Sequence, residues 1–338
     1  MSRKKLILNI ISLIMCLAML LPLCACGGDE PVQKQVFAMD TIMTLTAYGD
    51  NADAGLDNAA GVIQAMDTML DPKSDSSYTS QINSAKGEDV VVPPQVAQML
   101  SVAFDVYTKS NGALDLSVYP LYEAWGEFKE DTGRIPSDTE IENLLKQLNF
   151  GKLSITEFPG ESNSSVSLPG GTQLSFGAVA KGCAANYAVD AMRKAGVESG
   201  IISLGGNVQT LGVKPDGSMW TVAVEDPNAP GTDSYVGTLR VGETAIVTSG
   251  SYQRFFTYEG QRYHHIIDKD SLQPENRYLS VTILADDSAL ADALSTAVFN
   301  MEIEEGRAFI ENLEGIEAMW ILADGSEEFS SGFGTYLQ

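Results

Sequence analysis

Apolar and polar positions in this chain repeat with two periods, and the switches between them mark out the elements. Over residues 35–48 the alternation has the two-residue period of a strand, running around Met39-Asp40-Thr41. Over 53–70 it lengthens to helical spacing, with Leu56, Ala60, Ile63, Met66 and Leu70 on one side. A second helix is predicted over 96–110, entered after Pro93-Pro94 and stopped at Asn111-Gly112. Ser137, with Glu140 three residues on, forms a capping box that opens a third helix running to Leu148. Between the second and third, residues 113–121 are too short and too interrupted by Pro120 for a helix, and read as an ordered loop.

The second half changes character. A strand over 173–176, a glycine turn, a helix over 181–195 ended by Gly196, and a strand over 200–204 make a βαβ-like unit. Short strands follow at 208–213, 220–225, 236–241, 244–248, 255–258, 263–267 and 279–284, separated by turn signals such as Pro215-Asp216-Gly217 and Glu259-Gly260. Helices over 288–300 and 304–313 and a strand over 318–322 close the chain. The class expected is α+β: a single large domain, residues 35–338, of two interpenetrating lobes with mixed sheets and flanking helices. A hydrophobic content of 44% is ample for its core.

The N-terminus carries a separate message. Arg3, Lys4 and Lys5 precede an apolar run over 6–23, and Leu23-Cys24-Ala25-Cys26 has the spacing of a bacterial lipoprotein cleavage site. The expectation is a signal peptide over 1–25, a lipidated Cys26, a tether over 26–34 and a protein anchored at the extracytoplasmic face of the cell membrane; a permanent membrane span is the alternative. Acyl chains buried at about 0.8 kcal/mol per CH₂ would hold it there. Cys183 is then the only cysteine of the folded part, which excludes an internal disulfide, and among alanines it reads as a small core hydrophobe. The net charge of −24 falls by three more once Arg3, Lys4 and Lys5 leave. Such a surface repels nucleic acid, and a site for a nucleotide diphosphate on it needs local cations or a bound metal.

Candidate chemistry is sparse and therefore legible. Gly177-Ala-Val-Ala-Lys-Gly182 stands where a strand passes into a helix, so unpaired N–H groups and the helix dipole favour an anion, and Lys181 adds charge. It matches no standard phosphate loop, and tight strand-to-helix packing would also call for Gly and Ala. Asp292 and Thr296, four apart on a predicted helix, put a carboxylate and a hydroxyl on one face. With a main-chain carbonyl they make a partial oxygen shell of the kind Mg²⁺ accepts, or else a solvated Asp and a Thr bonded to the preceding turn. His264 and His265 are the only histidines; as strand neighbours they face opposite ways, so one could be a general base and the other a core imidazole. Gly205-Gly206-Asn207 and Thr248-Ser-Gly-Ser-Tyr-Gln-Arg254 are turns able to meet phosphate or ribose.

Taken in order, Met39-Asp-Thr41, Leu114-Asp-Leu-Ser-Val118, Gly177 to Gly182, Leu204-Gly-Gly-Asn207, Thr248-Ser-Gly-Ser-Tyr252, Tyr263-His-His-Ile-Ile-Asp268 and Ala291-Asp-Ala-Leu-Ser-Thr296 closely resemble the ApbE family of FAD:protein FMN transferases. The resemblance implies a Mg²⁺-dependent enzyme that splits FAD and moves FMN onto a Thr or Ser hydroxyl of an acceptor flavoprotein, such as a subunit of a membrane or extracytoplasmic redox enzyme, releasing AMP. It implies that Ala178, Asp292 and Thr296 hold the metal, that Met39, Ala113, Leu114, Asp115, Ser175, Lys181 and Ile266 line the FAD site, and that His265 is the base. Hydrolysis of FAD to FMN and AMP, and FAD binding without catalysis, are alternatives on the same site. The family usually continues its histidine strand as Asp-Pro-x-Thr-Gly, where this chain has Asp268-Lys-Asp-Ser-Leu272, and residues 71–75 lack an aromatic that often stacks on the flavin.

Overall fold

The computed structural model describes residues 30–338, so the expected signal peptide, Cys26 and the start of the tether lie outside the described residues. Among the described residues no helix is long and apolar enough to cross a membrane. In chain order the strands are β1 (Val32–Ala38), β2 (Thr41–Ala47), β3 (Val90–Val92), β4 (Ser154–Glu157), β5 (Ser164–Ser167), β6 (Gly200–Ser203), β7 (Asn207–Leu211), β8 (Trp220–Glu225), β9 (Tyr235–Val241), β10 (Ala245–Gly250), β11 (Phe255–Tyr258), β12 (Gln261–His264), β13 (Tyr278–Ala285), β14 (Glu317–Leu322) and β15 (Glu327–Phe329). The helices are α1 (Ala52–Leu70), α2 (Tyr78–Ser84), α3 (Pro94–Lys109), α4 (Tyr119–Ala124), α5 (Asp138–Leu145), α6 (Ala180–Lys194), α7 (Ser288–Phe299) and α8 (Ile303–Glu311).

An eight-stranded sheet in the order β1-β2-β6-β7-β10-β13-β14-β15 is the frame. Helices α1 and α6 bury Leu56, Ile63, Ala188 and Met192 against Met43, Leu45 and Ile202 of its first half. Helices α3 and α7 bury Leu100, Leu294 and Val298 against Val281, Ile283 and Trp320 of its second half. The opposite face is covered by the β8-β9 hairpin, through Trp220, Val222 and Leu239 on Ile246, Leu284 and Met319. A fourth cluster, with Leu121, Trp125, Phe128, Phe256 and Ile267, carries the β11-β12 hairpin.

The α+β class holds, but pairing between the described strands is antiparallel throughout rather than mixed. The reason lies at 173–176, where no strand forms. Leu174 gives its N–H to Asn83 Oδ1 at 2.8 Å and takes Asn83 Nδ2 on its carbonyl at 2.9 Å, so a side chain replaces the neighbouring strand and no parallel crossover is built. The alternation over 35–48 is two strands, because Met39 and Asp40 both take left-handed φ (50° and 60°) and form a two-residue hairpin turn. Residues 113–121 are not a loop: Asp115 caps a 3₁₀ turn at Leu116–Val118 that runs into α4, with Pro120 in the first helical turn, where its missing N–H costs nothing. The third predicted helix stops at Leu145, three residues short.

The two histidines part company here. His264, the last residue of β12, is wholly buried, edge-on to Phe299 at 5.5 Å. Its Nε2–H donates to the Glu275 carbonyl at 2.9 Å and its Nδ1 accepts the Ile266 N–H at 3.3 Å, so both ring nitrogens are engaged. The turn beyond is closed by Asp268, whose Oδ1 accepts from the N–H groups of Asp270 and Ser271, each at 2.8 Å. Leu272, where the family's glycine would stand, has φ 59° and buries its side chain with Trp125 and Phe128. Left-handed strain there is offset by apolar burial.

Two outcomes test this. At position 272 the usual order of substitutions inverts: Leu272→Gly loses the packing but sheds the strain, and should exceed Leu272→Ala in urea stability by about 1 kcal/mol. Burial lowers the His264 pKa to about 4, below its unfolded value of about 6.5. Its contribution is therefore complete above about pH 6.5 and is lost as pH falls towards 4, because only the unfolded chain then takes up the proton. His264→Gln should remove about 1.4 kcal/mol per pH unit from the stability slope between those limits; an unchanged slope in urea titrations at stepped pH would refute the assignment.

Candidate active site

A cavity of about 810 Å³ opens between the β1-β2 turn, the segment around Asp115, the N-terminus of α6 and the flank of α7. It falls in the range of cofactor and nucleotide pockets. Met39, Leu114, Asp115, Ser175, Ala178, Lys181, His265, Ile266, Asp292 and Thr296 all line it. Of the expected site residues among those described, Ala113 alone does not; its carbonyl accepts Asn300 Nδ2 at 3.0 Å, and Asn300 is part of the wall.

The centre is the crossing of α6 over α7. A side chain at Gly182 would bring its Cβ within 2.1 Å of the Ser288 carbonyl oxygen and 2.7 Å of Asp292 Cβ, so only glycine allows the approach. At this distance the Gly182 N–H, one of the first-turn donors of α6 that has no partner within the helix, donates to Asp292 Oδ2 at 2.8 Å. Ala178 stands before the N-cap Val179, outside the α6 ladder that opens with the Cys183 N–H on the Val179 carbonyl at 3.1 Å, and lines the cavity. Asn186 ties the same crossing, donating to Asp287 Oδ1 at 2.9 Å and accepting the Ser288 N–H at 3.0 Å. Thr296 stands one turn beyond Asp292, and Ser249 reaches it at 3.5 Å while bonding Ser295 at 2.8 Å.

Charge is concentrated in the same place. Burial pushes the Asp292 carboxyl above the ordinary range, opposed by Lys181, the Gly182 N–H and the Asn207 amide. Burial likewise pulls Lys181 below its ordinary value, with Asp292 opposing and Arg254 adding to the fall. Lys181 Nζ donates to the Gly205 carbonyl at 2.9 Å, and Gly205, at φ 59°, sits where a Cβ would strike Thr41 at 2.7 Å. Burial raises Asp115 too, against two bonds from Ser117. No group of three or more His, Cys, Asp or Glu able to hold a metal occurs among the described residues. A cation here would meet one carboxylate and neutral oxygens: Asp292, Thr296 and the Ala178 carbonyl, a hard-oxygen set that would suit Mg²⁺ with water and phosphate completing the shell.

His265 lies just past β12, facing the cavity. Its Nδ1 is 3.3 Å from the Arg254 carbonyl, which can only accept, so Nδ1 carries the hydrogen and Nε2 keeps its lone pair. Burial, then His264, Arg254 and Lys181, lower its pKa to about 3, and the ring is neutral at pH 7. Cys183 lies on the buried face of α6, its thiol pushed up to about 12 by burial, and has no part in this chemistry.

Several wall residues gave no signal in the sequence. Asp67 accepts the Met39 N–H at 2.9 Å and so holds the hairpin turn, but reads as one more polar position on α1. Lys73 and Lys129 pair with Glu127 at 2.6 and 2.7 Å across separate turns. Tyr119 and Tyr122, stacked at 6.4 Å, line the wall from within the stretch expected to be a loop; the Tyr122 hydroxyl accepts Arg254 Nη1 at 3.0 Å.

The model of the ApbE family matches residues 39–320. An FAD:protein FMN transferase of Klebsiella pneumoniae is 31% identical over 77% of this chain and 79% of its own length. One of Treponema pallidum is 28% identical over 91% of this chain and 90% of its own. Among solved structures, the ApbE protein of Thermotoga maritima superposes with a TM-score of 0.83 at 26% identity, covering 91% of this chain and all of its own. The flavin transferase ApbE of Vibrio cholerae gives 0.78 at 25%, covering 91% and 99%. The match spans the hairpin turn, the α6 N-terminus, His265 and the α7 pair, and the chain belongs to the ApbE family.

Proposed function

We propose that this protein is an FAD:protein FMN transferase, anchored by lipid on Cys26 at the extracytoplasmic face of the membrane. One observation carries the chemistry: Asp292, held by the Gly182 N–H, lines a nucleotide-sized cavity together with Ala178 and Thr296, whose carbonyl and hydroxyl would complete an oxygen cradle with it. Bound there, Mg²⁺ would neutralise charge on the FAD diphosphate and so ease its cleavage. Lys181 and the remaining first-turn N–H groups of α6, which the N-cap residue Val179 does not cap, supply further positive potential. Tyr119 and Tyr122 offer the aromatic surface that residues 71–75 lack.

The acceptor hydroxyl oxygen forms its bond to the FMN phosphorus, the bridging P–O bond breaks, and AMP leaves with the bridging oxygen. The hydroxyl proton passes to His265 Nε2, the one ring nitrogen of the two histidines without a partner. An incoming diphosphate offsets the Arg254 and Lys181 charges that depress His265, so the base strengthens when substrate is bound.

Asp292→Ala should abolish Mg²⁺-dependent AMP release from FAD, assayed by chromatography; release at the wild-type rate would remove Asp292 from the metal site. His265→Ala should keep FAD binding, followed by flavin fluorescence, and lose at least 100-fold in transfer to the acceptor, whereas undiminished transfer would strip His265 of its role.

A further inference from the structure

Asn207 opens β7 on the face that packs against α6 and α7, the face shared by Gln209 and Leu211 two and four residues on. It is wholly buried, and neither its Oδ1 nor its Nδ2 has a hydrogen-bond partner. Each buried unsatisfied amide atom costs about 1–3 kcal/mol, so a fold that keeps two on one side chain has a use for it. The main chain around it is fixed: its carbonyl accepts the Leu204 N–H at 2.7 Å, and it sits opposite Val247 in the ladder. The amide cannot drift to find other partners. It opens the strand that packs on α7 and stands beside Asp292, where it favours the charged carboxylate without completing a hydrogen bond to it.

Asp292 has one oxygen, Oδ2, held by Gly182. Its rotation about that bond decides whether Oδ1 points at Thr296 and the Ala178 carbonyl or away from them. We propose that Asn207 is the positioning residue of the cation site, its amide closing on the Asp292 carboxylate as a divalent cation binds and fixing that carboxylate towards the cavity. The inference rests on the cation reading above and deepens it. Residues that orient a metal's ligands typically contribute 10–100-fold to affinity. An amide suits the task because it orients the carboxylate without adding a charge that would compete with the cation or with Lys181.

The test is calorimetric titration of the purified protein with MgCl₂, alongside thermal unfolding without metal. Asn207→Leu is close in volume and deletes both unsatisfied atoms, so it should unfold in the absence of Mg²⁺ at or above the wild-type temperature while binding Mg²⁺ 10–100-fold more weakly. Asn207→Ala should show the same loss of affinity, and serves if the leucine variant does not fold. An affinity within twofold of wild type in either variant overturns the proposal. Wild-type protein with no Mg²⁺ binding that Asp292→Ala removes would instead overturn the cation reading, and this proposal with it.

Discussion

The hydrogen bond from the Gly182 N–H to Asp292 Oδ2 is the constraint on which the site depends. It exists because two helices cross at contact distance, and they cross there because residue 182 has no side chain. The bond does two things together. It satisfies a first-turn N–H of α6 that has no partner within the helix, and it holds a carboxylate that burial would otherwise push towards neutrality. A buried acid, the Ala178 carbonyl and a hydroxyl one turn along α7 share one cavity wall, although Ala178 and the α7 pair lie more than a hundred residues apart in sequence.

The electrostatic problem of this protein is to hold a dianionic diphosphate on a chain of net charge −24. The fold does not surround the site with basic residues. It buries one lysine against the Gly205 carbonyl and brings Arg254 and the N-terminus of α6 to the same cavity. Arg254 is shared with Asp40 and Tyr122, which leaves it anchored at the mouth. In a low-dielectric cleft such fixed charges act more strongly than on an open surface, and a bound cation would supply the rest.

Much of this was readable from residues. Helical spacing located α1, α6 and α7, and the i, i+4 pair at 292 and 296 fell on one helix face as expected. Spacing alone leaves the choice between His264 and His265 open and only the family resemblance points to His265, because the carbonyls that the two rings meet belong to Glu275 and Arg254, which no local signal connects to them. The missing strand at 173–176 was equally hidden: its pattern is extended, but its hydrogen bonds go to the side chain of Asn83, which no local signal connects to Leu174. Pro120 misled in a different way, since a proline that ends a helix and one that starts it look alike until the cap at Asp115 is seen. The altered turn after Asp268 keeps its closure by side-chain capping and by burying Leu272, which explains how the family's proline and glycine can both be absent.

The proposed site holds one divalent cation among Asp292, Thr296 and the Ala178 carbonyl. The most direct measurement is the anomalous difference map of a crystal soaked in FAD and Mn²⁺, the manganese standing in for Mg²⁺. The account predicts a single strong peak within about 2.5 Å of all three oxygens. A peak elsewhere in the cavity, or bound FAD with no peak at that point, would contradict it.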